Sequence, residues 1–453
     1  MVFEPSVYTE FRFLSATLNA QDFSVRFEYS LVGEDSTEHF SESISFTPVR
    51  ASHEVDWPRV RGLIVILGAA LGLSYFKAAA PSRYVIELEG MTQAGVDYLG
   101  ELMTHGMAEF AYRNELPEPL HPEIVLTAGV APAWPAEDHL TPSGDPLVPI
   151  GGGKDSVVSV ELLAAARMHP VQFGVNPNKI MYRVGRIKGH PVLAATRELD
   201  TRIMELNEAG ALNGHVPVTA MNSLIALVQA RIIGLGPVVM SLEASASEPT
   251  LWWGDMPVNH QWSKSEVAEE LLQDMLGPQA GLSAGSYFSL LRPYSEIQIA
   301  RYFAALSEYH PVITSCNRAF RRGVEDARWC GDCDKCRFIF LILSPFIPAT
   351  SLTRMFADNL LDNPSQLEGY RALLGLHEHR PFECVGEQAE SMLALHWVAT
   401  AGEWKNAAVV KALVAEIPEL LVPHPELEVQ VLGHRESELA MPSGYHTLGQ
   451  VLA

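Results

Sequence analysis

The chain reads as an α/β protein: a parallel sheet covered by helices, preceded by a smaller α+β part and followed by a helical region. Three observations predict this. From about residue 147, short apolar runs of strand length alternate with longer runs of helical periodicity, the pattern of βα units. The hexapeptide Gly151-Gly152-Gly153-Lys154-Asp155-Ser156 lies between an apolar run ending at Ile150 and a helical run beginning Val157-Val158, which predicts a strand, a glycine loop and a helix. Before residue 50, apolar and polar residues alternate with a period of two, as in half-buried strands.

Phe11-Arg12-Phe13 and Phe23-Ser24-Val25-Arg26-Phe27-Glu28-Tyr29 supply that alternation and suit antiparallel strands. Two helical stretches follow, near Trp57 to Ala80 and Thr92 to Glu115. The second spaces Val96, Leu99, Leu102 and Met103, then Met107 and Phe110, at helical intervals. A small α+β domain, residues 1–140, ends in the proline-rich stretch around Pro132 to Pro149. The next domain, 141–337, is expected to run through a strand at Leu147 to Ile150, the helix after Ser156 and a strand at Val171 to Val175. Helices around Val192 to Glu208 and from Ser223 to Ile233 then precede a strand at Val238 to Leu242. Residues 338–453 form an apolar helical region in which Ala407 to Ile417 is an amphipathic run.

At 453 residues, with 47% hydrophobic and 19% charged, the chain is long enough for two or three packed domains. Its 32 Lys and Arg against 54 Asp and Glu leave a net charge of -22, which opposes association with nucleic acid. Between Leu162 and Arg197 the balance reverses: Arg167, Lys179, Arg183, Arg186, Lys188 and Arg197 occur with no acidic residue. That stretch is either a dock for a compact anion or a solvated basic face. The longest apolar run, Gly62 to Phe76 between Arg61 and Lys77, falls short of the roughly 18 to 20 residues of a membrane span. A buried helix and no membrane span are expected. Met-Val-Phe-Glu-Pro offers neither a basic n-region nor an apolar h-region, so the expected location is cytoplasmic.

Three consecutive glycines let backbone amides approach an anion, and the following helix adds unpaired N–H groups and the positive end of its dipole. A phosphate or pyrophosphate suits such a site. A Walker A loop would need glycine where Val148 stands and Ser or Thr where Asp155 stands. The dinucleotide fingerprint fails at Ser156. The loop resembles the S/G-G-G-x-D-S loop of the PP-loop ATP pyrophosphatases, which split ATP between the α and β phosphates and adenylate a carboxylate, amide or carbonyl oxygen. That resemblance implies that Gly151, Gly152, Gly153 and Ser156 hold the departing pyrophosphate, that Lys154 adds charge, and that Asp155 orders the loop or a magnesium ion.

Cys330, Cys333 and Cys336 form two successive C-x2-C steps, with Cys316 upstream as the best fourth ligand. In a reducing compartment this spacing favours a tetrahedral zinc over disulfides; reduced cysteines packed beneath Phe338 to Phe346 are the plainer reading. The segment resembles the zinc-binding part of 7-cyano-7-deazaguanine synthase, itself a PP-loop enzyme.

Taken together, the chain resembles the UDP-N-acetyl-α-D-muramoyl-L-alanyl-L-glutamate epimerase family, MurL. The similar segments are Ile150 to Ser156, Gly214 to Val218, Ser241 to Glu248, Asn259 to Ser265, Ser289 to Pro293, the cysteine cluster through Phe340, and Pro381 to Glu387. The resemblance implies ATP- and Mg2+-dependent epimerisation of the terminal L-Glu of UDP-MurNAc-L-Ala-L-Glu to D-Glu in peptidoglycan precursor synthesis, with AMP and pyrophosphate released. Adenylation makes such chemistry accessible, because an acyl-adenylate is neutral at that carbonyl and delocalises an α-carbanion as its enolate. Lys154, Lys264 and Arg292 are candidates for electrostatic stabilisation. His260, His215, Glu243 and Cys384 are candidates for proton transfer. Cys384 is the one cysteine outside the proposed zinc site. Trp252-Trp253 reads as core or interface rather than as a base-stacking platform. Rival readings are another PP-loop reaction, such as nitrile formation on a deazapurine or amidation of a small acid, and a nucleotide-binding regulator without catalysis.

Overall fold

The computed structural model describes residues 3–48, 53–190, 192–320, 328–376, 381–433, 435, 437 and 439–453. Three antiparallel strands come first: β1 (Tyr8–Asn19), β2 (Ser24–Gly33) and β3 (Thr37–Ser45). Phe11, Phe13, Phe27 and Tyr29, the apolar half of the alternation, are wholly buried. β4 (Arg83–Ile86) lies parallel to β1, and β5 (Glu123–Leu126) parallel to β4. β6 (Leu147–Pro149), β7 (Val171–Val175), β8 (Val192–Glu198), β9 (Val238–Met240) and, after a β10–β11 hairpin (Leu251–Trp253, Met256–Val258), β12 (Tyr287–Ser289) make a parallel set. The two sets are one ten-stranded sheet in the order β12-β9-β6-β7-β8-β3-β2-β1-β4-β5.

The seam of that sheet is the antiparallel pairing of β3 with β8, where Ile44 faces Arg197. Arg197 pairs there with the fully buried Glu42 and donates to Ser74 Oγ at 3.0 Å. Gln229 adds a clasp, accepting from Thr47 N at 2.8 Å and donating to Thr47 O at 2.9 Å. Lys188, from the same basic stretch, is likewise engaged, by Glu308 at 3.0 Å. Two of its cations thus serve ion pairs within the fold.

The helix Trp57–Phe76 lies against the sheet. Asp56 caps it through Arg59 N, and nearly every side chain after Leu63 is buried. Gly68 and Gly72 admit the rings of Phe13, Phe27, Phe11 and Tyr29 so closely that a Cβ at Gly68 would stand 2.3 Å from Phe13. This helix has the length and apolarity of a membrane span, and 83% of its most apolar window is buried within the protein.

Three local readings change. Val192 to Glu208 is not one helix: β8 occupies its first half and a helix, Arg202–Ala209, its second. A short run of Val, Leu and Ala carries no period of its own, and pairing with β7 and β3 decides it. The helix Lys179–Arg186 was not expected; its signal was Asn178, whose Oδ1 accepts from Ile180 N at 3.0 Å and Met181 N at 3.1 Å. The stretch from Thr92 to Glu115 breaks into Gln93–Thr104 and Ala108–Arg113. Residues beyond Asp334 are helical, as expected, and contain no strand among those described.

Glu42→Ala would leave the Arg197 guanidinium without its carboxylate in the sheet interior. A loss of about 3–5 kcal/mol is expected, read as a lowered urea midpoint by circular dichroism.

Candidate active site

The chain leaves β6 to build β7 and β8 on one side, then returns to place β9 on the other. The crevice beyond the carboxyl ends of β6 and β9 is therefore the topological switch point, where open α/β sheets take their ligands. A cavity of about 380 Å³ occupies it, lined by Pro149, Phe173, Val175 and Met240 at the strand ends, and by Gly151, Gly153, Asp155 and Ser156.

The glycine loop is shaped for an anion. Gly152 has φ +83°, and a Cβ there would come within 2.8 Å of Ile180, so glycine is required twice over. No side chain caps the helix Lys154–Ala165, leaving its first amides to a ligand. Space beside Gly151 is open. Thr314 N donates to Gly152 O at 3.1 Å, and Ser315 lies against Gly153.

Lys154 does not face this cavity. It is 2% exposed and forms ion pairs with Asp155 and with the buried Glu296. Burial, the largest influence, works to lower the Lys154 pKa, but the two carboxylates together outweigh it and the net shift is upward. Lys335 Nζ stands 3.6 Å from the second oxygen of Glu296. The cations that line the cavity are Lys264 and Lys335.

Lys264 Nζ contacts Cys384 Sγ at 3.0 Å. The segment bearing Lys264 is fixed by an Asn259 turn, with Gln261 N donating to Asn259 Oδ1 at 2.7 Å, and by Ser265, which caps the helix Glu266–Ala280. Gln261 also donates to Val385 O at 3.2 Å, tying the cysteine loop to it. His260 stands near enough to Cys384 for each to shift the other, and its Nδ1 hydrogen-bonds to Glu109 Oε2 at 2.5 Å. Burial favours the neutral thiol of Cys384, but Lys264 and His260 overcome it and bring its pKa down to about 6. Burial likewise opposes charge on His260, yet Cys384 and Glu109 raise its pKa to about 9. His215 lies beside His260 with ring centroids 4.8 Å apart and planes tilted by 48°, and burial, joined by the His260 charge, lowers its pKa to about 4. The two histidines are thus held in opposite protonation states.

The remaining candidates lie apart from the cavity. Glu243 is buried and caps a short turn, accepting from Ser245 Oγ at 2.6 Å and Ala246 N at 3.2 Å; burial raises its pKa to about 7. Arg292 is 3% exposed and spends its guanidinium on Glu269 at 2.7 Å and on the carbonyls of Glu243 and Lys264, both at 2.8 Å. It braces the two segments that carry those residues. Trp253 packs on Tyr112 while Trp252 is 65% exposed, so only the second departs from a core or interface reading.

The sulfurs of Cys316, Cys330, Cys333 and Cys336 all lie within 4.8 Å of one another, a set that fits one tetrahedral thiolate-bound ion. Two participants were missed by sequence reasoning. Glu109 gave no signal beyond its i,i+4 spacing to Arg113, with which it pairs at 2.8 Å. Lys335, a basic residue inside the second C-x2-C step, was conspicuous and passed over.

The fold and cavity define an α/β protein with an uncapped glycine loop and a group of interacting acids and bases near the switch point of its sheet. Its family follows from comparison: the MurL N-terminal domain matches residues 2–290 and the MurL C-terminal domain residues 312–428, so the chain belongs to the MurL family. Three similar proteins are named UDP-N-acetyl-alpha-D-muramoyl-L-alanyl-L-glutamate epimerase. One from Salinispora tropica is 46% identical over 90% of this chain and 89% of its own length. One from Micromonospora is 44% identical over 90% and 91%, and one from Xanthomonas oryzae pv. oryzae 37% over 97% and 96%.

Arg292→Met would leave Glu269 buried beside no cation. Destabilisation of about 3–5 kcal/mol is expected, seen as a lower guanidinium midpoint in tryptophan fluorescence.

Proposed function

We propose that this protein inverts the terminal L-Glu of UDP-MurNAc-L-Ala-L-Glu to D-Glu at the expense of ATP, releasing AMP and pyrophosphate, in peptidoglycan precursor synthesis. The names of its relatives support the substrate and the inversion. The observation that carries the ATP dependence is that the uncapped glycine loop opens onto the same cavity as Lys264 and Cys384. Anion binding and proton chemistry therefore meet in one space.

Bound Mg-ATP would supply the adenylyl group that turns the glutamate α-carboxylate into an acyl-adenylate, uncharged at its carbonyl and with a more acidic α-proton. The amides of Gly151 to Gly153 and the start of the next helix, with Ser156, would hold the phosphates; Asp155, on the cavity wall, would hold the magnesium. Lys264 and Lys335 set two positive charges there without any change of conformation, which favours both the phosphoryl oxygens and an enolate. Lys154 acts from beneath, fixing Asp155. The four cysteines would hold a structural zinc that supports the loop through Thr314 and Ser315. An ATP-using enzyme with reduced thiols belongs in the cytoplasm.

Incubation with Mg-ATP and UDP-MurNAc-L-Ala-L-Glu in D2O should yield AMP, pyrophosphate and D-Glu carrying α-deuterium, read by chiral chromatography and mass spectrometry. AMP without inversion would point instead to an amide- or nitrile-forming transfer. Gly152→Ala, strained at φ +83°, should lower turnover at least about a hundredfold. Metal analysis should find about one zinc per chain, and Cys333→Ser should remove it and lower the melting temperature.

A further inference from the structure

Four ionisable groups from three distant parts of the chain converge behind one wall of the cavity. Lys264 and His260 come from the segment before the helix Glu266–Ala280, Cys384 from the loop before the helix Gln388–Thr400, and Glu109 from the helix Ala108–Arg113. Lys264 touches the sulfur at 3.0 Å, His260 adds its charge nearby, and Glu109 holds Nδ1 of His260 at 2.5 Å. Of the four, Cys384 and Lys264 line the cavity.

We propose that Cys384 is the base that takes the glutamyl α-proton, supported by Lys264 and His260, and that Glu109 is the positioning residue that keeps His260 turned toward it. This rests on the epimerase reading above. Glu243 is the weaker choice, because it is not among the residues lining the cavity and its Oε2 accepts from Ser245 and Ala246. His215 is weaker too, standing 3.9 Å from Glu109 with no contact to the sulfur among those described.

The charges that face Cys384 are Lys264, His260 and, at longer range, Lys335. Behind them lie Glu109, His215 and Arg113 on the histidine side, and Glu243 and Asp155 on the lysine side. The nearest shell is cationic, which favours the thiolate, so the sulfur is in the form that can accept a proton. In the step itself the Cα–H bond breaks and an S–H bond forms, while the electron pair moves onto the activated carbonyl as an enolate. Water in the cavity returns a proton to the opposite face, and the hydroxide so formed takes the proton from the Cys384 thiol, restoring thiolate and water.

The test has two arms. Carbamidomethylation of Cys384 by iodoacetamide, followed by peptide mass spectrometry across pH, should show a midpoint near 6, against roughly 8.5 for a free cysteine. Glu109→Gln should raise that midpoint by about one unit, a tenfold loss of thiolate below it, whereas a merely structural Glu109 would leave it in place. In the second arm, Cys384→Ala should lose α-deuterium exchange at least about a hundredfold while pyrophosphate release falls much less; that residual release also certifies a folded protein. A midpoint above 8, or full exchange by Cys384→Ala, would overturn the assignment of the base while leaving the reaction intact. A wild-type protein that releases neither AMP nor pyrophosphate with this substrate would overturn the reaction, and the base with it.

Discussion

A lysine ammonium buried beneath a glycine loop must bring its counter-charge with it, and Glu296 meets that demand. Its carboxylate pairs with Lys154 on one side and approaches Lys335 at 3.6 Å on the other, while its own backbone N–H donates to Glu390 at 2.6 Å. The surrounding cations hold the Glu296 carboxyl below the ordinary range against the burial that would raise it. One residue thus joins the helix after the loop, the helix of the cysteine cluster and the helix Gln388–Thr400. Loop and cysteine helix cannot move apart without separating the buried charges of Lys154, Glu296 and Lys335, and the hydrogen bond to Glu390 ties the C-terminal region to the same geometry.

The cysteine cluster belongs to the same construction. Its first member follows Thr314 and Ser315, which brace the glycine loop, and its last two enclose Lys335, which faces the cavity. A cluster that tightens these turns therefore sets the loop's height over the sheet, as well as stabilising its own segment. Cys384 stands outside it, free to ionise under different neighbours.

How much of this could be read from residues alone depended on range. The glycine loop and the four cysteines were legible because their chemistry needs particular residue types a few positions apart. The apolar alternation of β1 and β2 was legible for the same reason. The assignment at Val192 failed because β8 is made a strand by its neighbours, β7 and β3, rather than by its own period. Glu109 was invisible because its meaning comes from His260, 151 residues away. The families of segments that pointed to MurL included His260, Lys264 and Cys384, but not what brings them together. Arg292 stood in the same set, and only its buried partners separate a brace from a group that meets a ligand.

The seam between β3 and β8 also governs how the chain emerges from a ribosome. Glu42 and Arg197 are 155 residues apart, so at about 5–20 residues per second the open edge of β3 waits on the order of ten seconds or more for its neighbour. Throughout that interval the nascent protein presents the unpaired edge of β3, a template for a neighbouring copy. Truncations that stop short of β8 should therefore accumulate as aggregates rather than as small soluble domains, and folding in the cell will favour protection of the first part of the chain until the later strand is made.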